Sequence, residues 1–312
     1  MKKIALIGEC MIELNGEPFG TMYQTYGGDT LNTATYLARV SSREELQVCY
    51  VSALGTDKLS QGMIERWQAE GIDTRWVLRD EKRCAGLYLI QLDPQGERTF
   101  LYWRNQSAAR YLLQHLDYPQ LLSELQDVQM IYLSGISLAI LPENDRTLLL
   151  SQLSALKQNG VEIAFDTNFR PQLWLSKAQA QACYQALLPL VDIALVTFDD
   201  ENLLWGDSNE QATIARLSAF NIGKIIVKQG AAGATVCENG KQSFVATTPV
   251  QNVVDTTSAG DSFNAGFLAG YLQGKPLDTC CAQGNQLAAI VIQHKGAIID
   301  ESATEHLGRL FI

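Results

Sequence analysis

Histidine is scarce in this chain. There are three, His115, His294 and His306, and none stands at zinc-site spacing to a cysteine. The seven cysteines form no C-x-x-C pair and their number is odd. That argues against a disulfide framework and for a reducing, cytoplasmic compartment. Positive charge is short as well: 24 lysines and arginines face 34 aspartates and glutamates, a net charge of -10. Such a chain is a poor partner for nucleic acid or an anionic membrane, and an anionic ligand must be met by local cations. No apolar run is long enough to span a bilayer. The opening Lys2–Gly8 run meets Glu9 too soon for a signal-peptide core. No G-x-G-x-x-G follows the first apolar run, which weighs against a dinucleotide-binding dehydrogenase. Low complexity, internal repeats and linkers are missing too, so residues 1–312 are expected to form one domain.

What the chain does have is strand–helix alternation. Apolar runs at 4–7, 48–54, 130–133, 161–165, 193–197 and 225–228 read as buried strands, with helical spacing at 33–39, 60–71, 145–158 and 177–188 between them. This pattern predicts an α/β fold with a mostly parallel sheet and helices on both faces. Ligands in such sheets bind off the carboxyl ends of the strands, where the sequence offers Ser134-Gly135, Asp166 to Pro171, Asp199 to Asn202 and Gln229 to Gly233. One segment breaks the alternation. Residues 84–92 and 98–104 read as a hairpin about the turn Asp93-Pro94-Gln95-Gly96-Glu97, with Phe100, Tyr102 and Arg104 on one face. A β-hairpin inserted among βα units is what a lid looks like.

The chemistry concentrates in Asp255-Thr256-Thr257-Ser258-Ala259-Gly260-Asp261, which runs into helical spacing at Phe263, Phe267, Leu268, Tyr271 and Leu272. Ser258, Ala259 and Gly260 are small enough for their backbone N–H groups to approach an anion at a helix N-terminus. Asp261 adds a carboxylate at the lip of the turn. Donors for a phosphoryl group beside a base for an alcohol proton are the requirements of phosphoryl transfer to a hydroxyl. Spacing alone reads equally well as a helix capped by Asp255 or Asp261. Far upstream, Gly27-Gly28-Asp29-Thr30-Leu31-Asn32 precedes a helix and offers close backbone approach with Asp29 and Asn32 as polar groups.

These two stretches together resemble the signatures of the PfkB (ribokinase-like) carbohydrate kinases, G-G-x-x-x-N and D-T-T-G-A-G-D, with Ser258 where the family commonly has glycine. The resemblance runs from Ile4 to about His294. Its nearest branch is the 2-keto-3-deoxygluconate kinases, through Gly8 to Leu14, Tyr102-Trp103-Arg104-Asn105, Asp166-Thr167-Asn168-Phe169-Arg170-Pro171 and Gly296-Ala297-Ile298. It implies a ribokinase-like fold with a β lid built from insertions at about 10–25 and 84–105. It also implies transfer of the ATP γ-phosphoryl to the C6 hydroxyl of 2-keto-3-deoxygluconate, with Asp261 as base and Ser258, Ala259 and Gly260 around the phosphoryl group. The acceptor would meet Gly28, Asp29, Thr30, Leu31, Asn32, Tyr88, Tyr102, Arg104 and Arg170, the two arginines gripping its carboxylate as bidentate forks. ATP would meet Asn168, Lys228, Gly230, Gly233 and Asn285, with Mg²⁺ bridging its phosphates. The resemblance leaves the metal residues unassigned: Asp199 to Asn202 occupies the family's N-x-x-E position with altered ends. A monovalent cation such as K⁺ at Asp255 and Thr257, and a homodimer paired through the lid, are further implications. Open alternatives are a kinase of the same fold for fructose, 2-ketogluconate or ribose, and a non-catalytic sugar-acid sensor.

Overall fold

In the computed structural model, residues 1–92 and 98–311 are described. The strands are β1 (Lys2–Ile7), β2 (Met11–Gly16), β3 (Met22–Gly27), β4 (Leu46–Gly55), β5 (Val77–Asp80), β6 (Leu87–Leu92), β7 (Arg98–Trp103), β8 (Met130–Ser134), β9 (Glu162–Asp166), β10 (Ile193–Thr197), β11 (Lys224–Lys228), β12 (Gly233–Glu238) and β13 (Lys241–Ala246). Nine of them form one sheet in the order β13-β12-β11-β10-β9-β8-β1-β4-β5, and β12 runs antiparallel to both its neighbours. The strands from β11 to β5 pair in parallel.

Burial explains the apolar runs. Along β1, Ile4 and Leu6 enter one core while Ala5 and Ile7 enter the other, because successive side chains point to opposite faces. One core is closed by the helices Asp29–Val40, Lys58–Ala69, Ala259–Leu272 and Leu277–Val291. The other is closed by Glu143–Gln158, Lys177–Leu187, Phe198–Trp205 and Glu210–Ser218. Trp67 and Tyr36 are wholly buried, and each side chain of that size contributes roughly 1.5–3 kcal/mol.

The other four strands make a small sheet, β3-β2-β6-β7, with β2 parallel to β6 and antiparallel to β3. It comes from two stretches, 11–27 and 87–103. Its second half starts later than predicted: residues 84–86 precede β6, because the Cys84 and Gly86 carbonyls accept the Ala108 and Ile12 N–H groups instead of joining the hairpin. The turn at 93–97 lies outside the described residues. The strand ends at Trp103, yet Arg104 stays beside Tyr102: its guanidinium lies 5.8 Å from the centre of that ring and reaches the carboxylate of Glu9, just past β1. A buried carboxylate needs such a partner.

Candidate active site

The helix Ala259–Leu272 begins at the carboxyl edge of the sheet. Its cap, Ser258, is left-handed at φ 63°. That conformation costs a non-glycine residue about 1–2 kcal/mol. The Ser258 hydroxyl accepts the Asn32 Nδ2 at 2.8 Å, and the same Nδ2 donates to Asp261 Oδ2 at 2.9 Å. Asn32 thus staples the first signature to the second. Burial pushes the Asp261 carboxyl up to about 7; the nearby Asp29 charge adds to this and the Asn32 hydrogen bond opposes it. A carboxylate titrating there is poised to take a hydroxyl proton near neutrality.

Within the turn, the Ala259 N–H corrects an expectation. It donates to the Thr256 carbonyl at 3.2 Å, because the turn closes on itself before the helix starts. Gly260 is the open position: a Cβ built there would meet only Lys228 Nζ, at 3.6 Å. Lys228 is 5% exposed, so it is no solvated surface lysine. Its ammonium donates to Asp166 Oδ2 at 2.9 Å and Asn264 Oδ1 at 3.0 Å. The other Asp166 oxygen is buried without a hydrogen-bond partner among the described residues.

On the acceptor side a cavity of about 100 Å³ is lined by Glu9, Met11, Gly28, Asp29, Tyr102, Arg104, Ile136, Arg170, Gln172 and Leu173. A larger hollow of about 660 Å³ opens at the opposite edge of the sheet, beside Lys2 and Lys224, and contains none of the predicted groups. Gly28 is demanded by packing: a Cβ there would lie 2.1 Å from the Glu9 carbonyl. Asp29 Oδ2 accepts the Ser134 hydroxyl at 2.5 Å and Asn168 Nδ2 at 2.6 Å, and burial raises its pKa. Arg170 Nη1 donates to the Phe169 carbonyl at 2.9 Å and pairs with Asp200 at 3.4 Å, leaving its side chain 43% exposed. Arg104 is 10% exposed and held by Glu9.

The structure therefore brings Gly28, Asp29, Tyr102, Arg104 and Arg170 to one cavity, with Asn32 linking it to Asp261. It turns three expected acceptor groups elsewhere. The helix starts at Asp29 rather than Thr33, so Thr30 bonds Tyr50 and Leu31 points into the core. The Tyr88 hydroxyl is taken by the buried Glu13 carboxylate. Asn168, expected beside the nucleotide, holds Asp29 because that buried carboxylate needs donors. Gly233 and Asn285 meet at Val245: a Cβ on Gly233 would lie 2.2 Å from its carbonyl, and Asn285 Nδ2 donates to that carbonyl at 3.2 Å. Gly230, at φ 55°, turns the chain between β11 and β12.

Asp199 and Asn202 face outward on the helix Phe198–Trp205. The inward acids are Asp200, pushed up by burial to about 6, and Glu201, pushed up by burial to about 7. Glu201 is wholly buried, taking the Thr167 hydroxyl and an Arg216 guanidinium. The sequence reading took in the stretch Asp199 to Asn202 without singling out Glu201, although its spacing of three from the buried Leu204 marks the inner helix face. Among the described residues no group of three or more potential metal ligands occurs.

The chain's likeness to known proteins runs along almost its whole length. A family model described as pfkB family carbohydrate kinase matches residues 1–304. A 2-dehydro-3-deoxygluconokinase of Haemophilus influenzae is 64% identical over 309 residues, covering 98% of each chain. The protein of that description from Escherichia coli K12 is 45% identical over 305 residues, covering 97% of this chain and 98% of its own. Among solved structures, an Escherichia coli protein described as a ribokinase II, in complex with ATP and Mg²⁺, superposes with a TM-score of 0.83 at 24% identity, covering 100% of this chain and 99% of that one.

Proposed function

The chain belongs to the pfkB family of carbohydrate kinases, and from that premise we propose that it transfers the ATP γ-phosphoryl group to the C6 hydroxyl of 2-keto-3-deoxygluconate (2-dehydro-3-deoxygluconate). The product is the 6-phosphate. The observation that carries the reading is the likeness to 2-dehydro-3-deoxygluconokinases along almost the whole chain. It is supported by the two arginines that border the acceptor cavity of an otherwise acidic protein. A neutral hexose has no group that needs them; a sugar acid does.

In this reading the acceptor lies with its carboxylate toward Arg104 and Arg170, its middle against Gly28 and Asp29, and its far hydroxyl at Asp261. Asp261 takes the C6 proton as the oxygen attacks the γ-phosphorus, whose bond to the β,γ-bridging oxygen breaks to release ADP. Gly260 gives the γ-phosphoryl group close backbone approach, and the buried Lys228 ammonium offsets the charge that develops there. The nucleotide runs from this turn toward Gly230, Gly233 and Asn285. Mg²⁺ sites of this kind use few protein oxygens beside phosphates and water, and the buried, unpartnered Asp166 Oδ1 would be the protein oxygen to hold the ion here. When bound, the ion neutralises phosphate charge.

Two finer points belong to the same reading. K⁺ would sit by Asp255, whose Oδ1 already accepts the Thr257 N–H and hydroxyl and whose Oδ2 accepts the Gly296 N–H. Replacing K⁺ by tetramethylammonium should then lower turnover. The lid strand β7 exposes Phe100, Leu101 and Trp103, which would pair with a second copy, and light scattering should give a dimer mass. With seven free cysteines, the protein is suited to the reducing cytoplasm.

The deciding experiment is a coupled ATP assay against 2-keto-3-deoxygluconate, 2-ketogluconate, fructose and ribose. The sugar acid should give the highest kcat/KM by at least about tenfold, the worth of one charge-assisted hydrogen bond. A preference for fructose would replace the substrate but keep the family; no turnover with any acceptor would leave a sensor.

A further inference from the structure

We propose that Glu9 is a positioning residue of the acceptor site, fixing Arg104 so that the free end of its guanidinium meets the carboxylate of the sugar acid. This rests on the substrate reading given above. Glu9 follows β1 on the large sheet, and its side chain is 1% exposed. Arg104 follows β7 on the small sheet. Both Nε and Nη2 of Arg104 donate to the same oxygen, Glu9 Oε2, the former at 2.8 Å. Two bonds to one acceptor fix the guanidinium plane as well as its position. Nη1 is left over, and among the described residues nothing accepts a hydrogen bond from it. A carboxylate in the cavity is the partner that fits.

The surroundings are built for this pair. A Cβ on Gly86 would come within 2.9 Å of Glu9 Oε1 and Met11 Cγ and 3.2 Å of the Arg104 Cβ, so the socket stays open only because residue 86 has no side chain. Glu9 Oε1 is buried with no hydrogen-bond partner among the described residues. An orphaned carboxylate oxygen is costly, and a fold that only needed to anchor the lid would be served by an apolar contact. The pair also spans the two sheets. It therefore holds a lid-borne cation in register with Arg170, which belongs to the main body and shares the cavity.

The test is steady-state kinetics on the full-length protein with 2-keto-3-deoxygluconate and saturating ATP, for Glu9→Gln, Arg104→Ala and the double variant. Glu9→Gln should raise KM about tenfold with kcat changed less than about threefold, because the reacting hydroxyl is at the other end of the acceptor. In the Arg104→Ala background the same change should add less than about twofold, since its effect passes through Arg104. Gly86→Ala, which disturbs the pair without altering either partner, should raise KM in the same manner; it serves if Glu9→Gln does not fold. A thermal melt accompanies each variant. An unchanged or lower KM in the folded Glu9→Gln variant overturns the inference while leaving the substrate reading intact. So do losses that multiply with Arg104→Ala, which would mark Glu9 as merely structural. A wild-type protein that ignores 2-keto-3-deoxygluconate overturns both.

Discussion

The two ends of the proposed acceptor site are built in opposite ways. The Asp261 end belongs to the large sheet: its helix is buried along most of its length, and Asn32 ties it to the N-terminal helix by two hydrogen bonds. The Arg104 end belongs to a small sheet that leaves Phe100, Leu101, Tyr102 and Trp103 more than 40% exposed and meets the body through the Glu9–Arg104 ion pair and the packing of Ile12, Leu14, Tyr26 and Leu87. Chemistry tolerates little misplacement of the reacting atoms, so it sits on the rigid side. Choice of acceptor needs entry, closure and release, and on the proposed reading one of its two arginines, Arg104, sits on the element with fewer buried contacts.

If that division holds, the largest effect belongs to Asp261. Asp261→Asn should lower kcat about 10²–10⁴-fold with KM nearly unchanged, since the amide keeps the shape and loses the proton affinity. Near-normal turnover would reduce Asp261 to a helix residue. Its titration supplies the next effect. With the carboxyl at about 7, kcat/KM should fall about tenfold for each pH unit below that value, because the base must be ionised to act. Stability moves the other way. A carboxyl whose native pKa exceeds the unfolded value of about 3.9 binds its proton more tightly when folded. Its contribution is therefore lost as pH rises from about 4 to about 7, and Asp261→Asn should melt higher than wild type at pH 8 but not at pH 4. A flat rate profile between pH 5 and 7 would disprove the assignment.

At the other end the expected losses are in KM. Arg104→Ala should raise it roughly ten- to hundredfold, and Arg170→Ala by less, because a cation that is 43% exposed and shared with Asp200 is screened by water. In both, kcat should fall less than kcat/KM. The reverse ranking would put specificity on the body and not on the lid. A smaller effect separates Ser258 from the family's glycine. Ser258→Gly removes the hydroxyl that holds Asn32, which should cost about two- to tenfold in kcat, yet it relieves a left-handed serine. Activity and melting temperature should thus move in opposite directions; a parallel fall would show that the hydroxyl is structural. The subtlest measurement is hydrogen exchange. Residues 87–92 and 98–103 should exchange fast without ligand and slow with the sugar acid, while 259–272 stays protected throughout. Equal protection of the small sheet in both states would rule out a lid.

Periodicity in the sequence determined the parallel sheet and its helices, because buried parallel strands are continuous apolar runs that need no partner to be recognised. The motifs of small residues around Gly28 and Gly260 were legible for a similar reason: close backbone approach leaves its mark in residue type. Side-chain direction was not legible. Whether Thr30 and Leu31 face the cavity or the core depended on where the helix began, and one turn of difference sent both inward. The partners of the buried charges were also hidden. Glu9 with Arg104 and Lys228 with Asp166 are brought together from distant segments, and Glu201 with Arg216 from successive helices. Desolvation forces such charges to pair, but only the packed tertiary structure decides with whom.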